Sequence, residues 1–128
     1  MTIAQISQKY DLSPDTLRYY ERIGLLPPVH RGAGGIRDYD EADCGWVEFI
    51  KCMRAAGLPI ETLIEYVTLF RQGDDTLPAR KALLVEQREQ LARRVEEMQA
   101  VLARLDEKIL VYDEKCVTLE RRLRRDDR

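Results

Sequence analysis

Apolar positions follow helical spacing through four short stretches and one long one. Ile3, Ile6 and Tyr10 form the first row, and Thr2 with Gln5 three residues on makes a capping-box pattern, so a helix begins near Thr2. After the short turn Tyr10-Asp-Leu-Ser13, Ser13 offers an N-cap and Pro14 a first-turn proline, which predicts a second helix ending near Gly24. Two helices joined this tightly predict a helix-turn-helix. Pro27 and Pro28 stop any helix. Between Val29 and Tyr39, Gly32, Gly34 and Gly35 read as the tip of a two-stranded hairpin. Asp40 caps a third helix running to Ala56 and stopping at Gly57, with Trp46, Phe49, Ile50 and Met53 in its apolar row. Pro59 opens a fourth, with Leu63, Tyr66, Val67 and Phe70 facing inward, ending at Gly73. These elements can share one small core, a domain over residues 1–75.

The pattern then changes period. Thr76 caps a helix expected from Leu77 to roughly Val117, with Pro78 tolerated in its first turn. Leu84, Leu91, Met98, Leu105, Tyr112 and Leu119 recur every seven residues, with Val95, Leu102, Ile109, Cys116 and Leu123 interleaved. This is a heptad seam. At about 1.5 Å per residue the helix is on the order of 60 Å long, too long for a small domain to cover. The seam therefore calls for a second copy of the chain, giving a dimerisation helix over 76–118. A helix folded back on its own domain is the alternative. Residues 119–128 read as a charged, frayed tail. The expected fold is mainly α: a winged helix-turn-helix head followed by a long dimerising helix.

Composition removes several function classes. No apolar stretch approaches the roughly 20 residues of a membrane span, and the N-terminus lacks the pattern of a signal peptide, so a cytoplasmic protein is the simplest expectation. The three cysteines, Cys44, Cys52 and Cys116, are widely spaced and His30 is the only histidine. That argues against a zinc site or disulfide scaffold, and no cofactor is expected. No nucleophile–histidine pairing or phosphate-binding glycine loop suggests an enzyme. The net charge of −2 does not predict a nucleic-acid partner. Local charge does: from Thr16 to Arg37, Arg18, Arg22, Arg31 and Arg37 stand against Glu21 alone, whereas Asp38 to Glu48 is acidic without Lys or Arg.

On the second helix Asp15, Arg18, Tyr19 and Arg22 share one face, while Leu17 and Tyr20 lean toward the core. Ser13, Asp15 and Thr16 open that helix and join the candidate DNA-binding set. Arg18 and Arg22 bring fork-shaped donors suited to phosphate or guanine edges, and Tyr19 a hydroxyl or a ring. Arg31 and Arg37 in the hairpin would reach flanking backbone, and Arg54 could add a phosphate contact. The segments Thr-Leu-Arg-Tyr-Tyr-Glu-Arg-Ile-Gly-Leu-Leu-Pro-Pro and Gly-Ile-Arg-Asp-Tyr-Asp-Glu-Ala-Asp, continuing through Phe49 to Leu58, resemble the MerR family of bacterial transcription regulators. The resemblance covers about the first 72 residues, and the long helix resembles the family's antiparallel dimerising helix in kind. It implies a homodimer on a pseudo-palindromic promoter operator, whose activated form bends and untwists double-stranded DNA for RNA polymerase. By carry-over Arg18, Tyr19, Tyr20, Arg37 and Arg54 would hold DNA. Position 36, often Tyr in the family, is Ile here.

The resemblance also bears on the signal. Metal sensors of this family carry a C-terminal pair of cysteines, whereas this chain has Cys116 alone there, short of the ligands a soft metal needs. Nothing the size of a drug-binding domain follows residue 119. The stretch from Trp46 to Gly57, with Glu65 to Asp74, resembles the thiol-dependent, aldehyde-responsive (AdhR/NmlR-like) subgroup. Cys52 lies between Lys51 and Arg54, cations that favour a thiolate, and its helical offset sets it at the border of the core row. Cys52 is therefore the candidate effector-sensing residue and a small electrophile such as an aldehyde the candidate effector. An inert packing cysteine is the plain alternative. Cys44, in a first helical turn, is a substitute candidate, and Cys116 reads as packing. A metal-responsive regulator and a coiled-coil interaction protein remain the other readings. For dimerisation the candidates are Leu84, Leu91, Val95, Met98, Leu102, Leu105, Ile109 and Tyr112.

Overall fold

The computed structural model describes residues 1–126, without the side chains of 116, 117, 125 and 126. Among the described residues there are five α-helices: α1 (Ile3–Tyr10), α2 (Pro14–Arg22), α3 (Glu41–Ala55), α4 (Ile60–Gln72) and α5 (Leu77–Asp126). The chain divides into two compact units, Met1–Gln87 and Arg88–Arg128. The first is the head.

Local chemistry explains the boundaries of its helices. Thr2 and Gln5 close a capping box at α1, and Asp11 ends that helix in the left-handed region, letting Leu12 N–H bond Ser7 O at 3.1 Å. The chain then needs one more residue to reach the next cap. Ser13 Oγ accepts from Thr16 N–H at 3.0 Å with Pro14 in the first turn of α2. Gly24, at φ 84°, reverses the chain after α2, and Leu25 N–H returns to Tyr20 O at 2.9 Å. Asp40 and Asp43 form a second capping box at α3. The Asp43 N–H holds the Asp40 carboxyl below its ordinary range.

Ile6, Leu17, Leu25, Leu26, Val29, Tyr39, Val47, Ile50, Leu58 and Leu63 form one buried cluster. Each of the four short helices contributes, which holds α1 and α2 in the helix-turn-helix arrangement. The α3 row differs in part from the sequence expectation. Val47 and Ile50 are the buried pair, whereas Trp46 and Phe49 are half-buried and cluster with Tyr66 and Phe70 of α4. These four rings line an open apolar cleft of about 460 Å³ with Ala42 and Gly45.

Two expectations are corrected. The glycine-rich segment is not a two-stranded hairpin: a single antiparallel bridge joins Arg31 and Arg37, with a 3-10 turn at Ala33–Gly35 between them. Gly34 and Gly35, at φ 75° and 74°, turn the chain at once, and three glycines leave few side chains to extend a ladder. The wing is thus a tight loop, closed by Gly32 N–H to Ile36 O (2.9 Å) and Asp38 N–H to His30 O (2.8 Å). Second, α5 does not stop near Val117 but runs to Asp126, since no glycine or proline follows Pro78 of its first turn. Cys116 lies in this helix, its side chain outside the described residues.

The start of α5 belongs to the head. Thr76 Oγ1 donates to Leu69 O and Gly73 O, at 2.7 and 2.6 Å, and itself accepts from Arg80 Nε at 3.1 Å. Arg80 also lies over the Phe70 ring at 5.5 Å, and Gln87 is buried. Along the second unit, Met98, Leu102, Leu105, Ile109 and Tyr112 are all exposed, as Val95 is just before them.

Candidate nucleic-acid interface

Helix α2 presents two opposite faces. Leu17 is fully buried and Tyr20 half-buried, while Asp15, Arg18, Tyr19 and Arg22 are exposed. The exposed groups are partly preorganised. Arg18 Nη1 donates to Asp15 Oδ1 at 2.9 Å, and the Arg22 guanidinium stands 5.4 Å from the Tyr19 ring centroid. Ser13 and Thr16 are used locally, their hydroxyls 2.8 Å apart at the cap. A surface with two forked cations and an amphipathic ring can contact phosphates and base edges together.

The wing lies against this helix through Glu21, the lone acid of the basic segment. Glu21 Oε1 accepts from Arg37 Nε at 2.8 Å, and Oε2 accepts from Val29 N–H at 3.0 Å. Arg31 Nη2 stands 3.9 Å from Oε2. Burial alone would raise the Glu21 carboxyl, but the Arg37 and Val29 hydrogen bonds and both arginine charges outweigh it and hold the group below its ordinary value. Glu21 was missed because its partners lie 8 and 16 residues away, beyond any periodic pattern. The one signal was a lone acid inside a basic segment.

The other arginines divide into two kinds. Arg31 is nearly half exposed and donates from Nη1 to Gly35 O at 3.1 Å. Arg37 is turned in on Glu21. Arg54, in the last turn of α3, donates to Leu58 O at 2.8 Å in the turn that follows the helix. Residues 1–69 match the MerR HTH family regulatory protein family, and residues 45–108 match the MerR, DNA binding family. The chain belongs to the MerR family. A relative from Bacillus subtilis (strain 168), the HTH-type transcriptional regulator AdhR, is 60% identical over 91 residues, 71% of this chain and 65% of that protein's length. The crystal structure of a MerR family transcriptional regulator from Listeria monocytogenes matches at TM-score 0.90 and 47% identity, covering 97% of this chain and 94% of that one. The structure of HiNmlR, a MerR family regulator lacking the sensor domain, bound to promoter DNA, matches at TM-score 0.80 and 28% identity, covering 88% and 90%.

The candidate thiol sits differently from its expected place at the border of the core. Cys52 is exposed on α3, whereas Cys44 is half-buried and packs against the head core. Helical geometry accounts for this: Phe49, Ile50 and Met53 face the core, and Cys52 falls on the next strip outward. The flanking cations are engaged elsewhere, Lys51 Nζ donating to Tyr10 O and Arg54 to Leu58 O. Among the described residues no group of three or more His, Cys, Asp or Glu could hold a metal ion.

Proposed function

We propose that this chain is a cytoplasmic, homodimeric transcription activator that binds a pseudo-palindromic promoter operator and distorts it for RNA polymerase. Arg18, Tyr19 and Arg22 of α2 enter the groove, and the wing grips the flanking backbone. The observation that carries the reading is the exposed Arg18–Tyr19–Arg22 face on a capped helix whose opposite face is locked in the head core. Exposed apolar residues at heptad spacing from Val95 to Tyr112 support the homodimer. The relative bound to promoter DNA supports promoter DNA as the target of this head.

We further infer that a reactive aldehyde switches the protein at Cys52. The Cys52 sulfur adds to the carbonyl carbon. A C–S bond forms, the carbonyl π pair moves to oxygen and is protonated, and the thiol proton passes to water, giving a hemithioacetal. Exposure of Cys52 supports access by a small electrophile. Its position on α3, the helix that Lys51 ties to the end of α1, supports a route from adduct to helix-turn-helix. The adduct shifts the population only as far as the two dimer states accept it differently.

The deciding experiment is in vitro transcription from the upstream promoter with and without formaldehyde, using wild type and Cys52→Ser. Both proteins are expected to bind the promoter, and only wild type to raise transcription on aldehyde addition. An equal response from Cys52→Ser refutes the thiol switch and leaves the DNA-binding reading intact.

A further inference from the structure

Glu21 sits where a DNA-binding surface should not want a carboxylate. It lies on the same helix as Arg18 and Arg22 and between both arms of the wing. A negative charge there opposes phosphate approach, so its presence requires a compensating task. The side chain is only 14% exposed, and all three of its partners belong to the wing.

The wing needs such an anchor. Its own ladder is one bridge pair, and its tip is built from glycines with left-handed backbones, so its internal bonds close the loop without aiming it. Glu21 supplies the tie to α2, beside those that join the wing's base to Met1 (Tyr39 N–H to Met1 O, 2.8 Å) and to Asp43 (His30 N–H to Asp43 Oδ2, 3.1 Å). It holds Val29 at the base of the outgoing arm and Arg37 on the returning arm, fixing both to α2. Arg37 thereby becomes part of the scaffold: its Nε is committed and its side chain is 25% exposed. Arg31 differs. Its one hydrogen bond, Nη1 to Gly35 O, stays within the wing, its 3.9 Å approach to Glu21 exceeds hydrogen-bond distance, and it is 46% exposed.

We propose that Glu21 is a positioning residue for DNA recognition, holding Arg37 as a strut between α2 and the wing and leaving Arg31 as the wing's phosphate-contacting cation. The proposal rests on the reading of the head as a DNA interface.

The test uses the full-length protein and a duplex that wild type enriches from a random-sequence pool. Affinity is measured across a salt series for wild type, Arg31→Gln, Arg37→Gln, Glu21→Gln and the Glu21→Gln/Arg37→Gln double variant, each at a temperature where circular dichroism shows it folded. Arg31→Gln is expected to shrink the salt slope by roughly one per subunit. Arg37→Gln and Glu21→Gln are expected to keep the wild-type slope while weakening binding about tenfold. The double variant is expected to bind no more weakly than either single one, because the two groups act as a unit. A smaller slope in Arg37→Gln overturns the strut, as does Glu21→Gln binding as tightly as wild type. Failure of wild type to enrich any duplex brings down the DNA reading itself, which separates that outcome from the others.

Discussion

Replacing Leu102 by Ala should weaken the dimer far more than the equally simple change Leu110→Ala. The two leucines are similar in the single chain, Leu102 at 59% and Leu110 at 65% exposure. They differ in register. Leu102 falls on the seam between Met98 and Leu105, whereas Leu110 follows the seam residue Ile109 and points away from it. Fully burying a leucine contributes roughly 1.5–3 kcal/mol, so covering the exposed part of Leu102 contributes about 1–1.5 kcal/mol per copy. A symmetric dimer loses both copies, and about 2–3 kcal/mol corresponds to a dissociation constant raised about 30- to 150-fold. Sedimentation equilibrium over a concentration series measures this directly. Leu110→Ala should leave the constant within a few-fold of wild type. If the two variants weaken association equally, the seam is misassigned. If wild type stays monomeric at all concentrations, the homodimer is wrong.

Other substitutions probe the head. Ser13→Ala removes the α2 cap and should cost about 1 kcal/mol, lowering the head's melting midpoint by roughly 4–8 °C. Leu17→Ala empties a fully buried position and should cost about 2–5 kcal/mol, read by urea denaturation. Glu21 predicts an acid limb. Because its folded value is depressed, its stabilisation is fully present above the ordinary glutamate value and is lost as pH falls through the lower folded one. Denaturation midpoints of wild type should therefore drop faster than those of Glu21→Gln over that acid range, and parallel curves would refute the assignment.

The helices were legible because their signals are local. Thr2 with Gln5, Ser13 with Pro14, and Asp40 each announce a cap within three or four residues, and each cap is present. The family likewise follows from contiguous segments such as Arg18 to Pro28. What depends on distant partners was not legible. Glycines at 32, 34 and 35 signal a turn, but whether strands grow beside it depends on neighbours, and none pair beyond Arg31 and Arg37. Charge counting set Glu21 against the arginines, while tertiary contact makes it their anchor. Periodicity put Trp46 and Phe49 among the inward residues without showing that they meet Tyr66 and Phe70 at an open cleft. Cys52 was located to within one helical strip, and that strip separates a core border from an exposed surface.

The aromatic cleft has a practical consequence. Trp46 is the chain's single tryptophan, and its ring meets Phe70 of α4 at 4.8 Å and Tyr66 at 5.9 Å. It also shares α3 with Cys52. Fluorescence excited at the indole band therefore comes from one known place, on the helix that bears the candidate thiol and against the helix that precedes α5. A shift in its emission during aldehyde titration would record motion of α3 against α4 in the unlabelled protein, with each half of a dimer carrying an identical lamp.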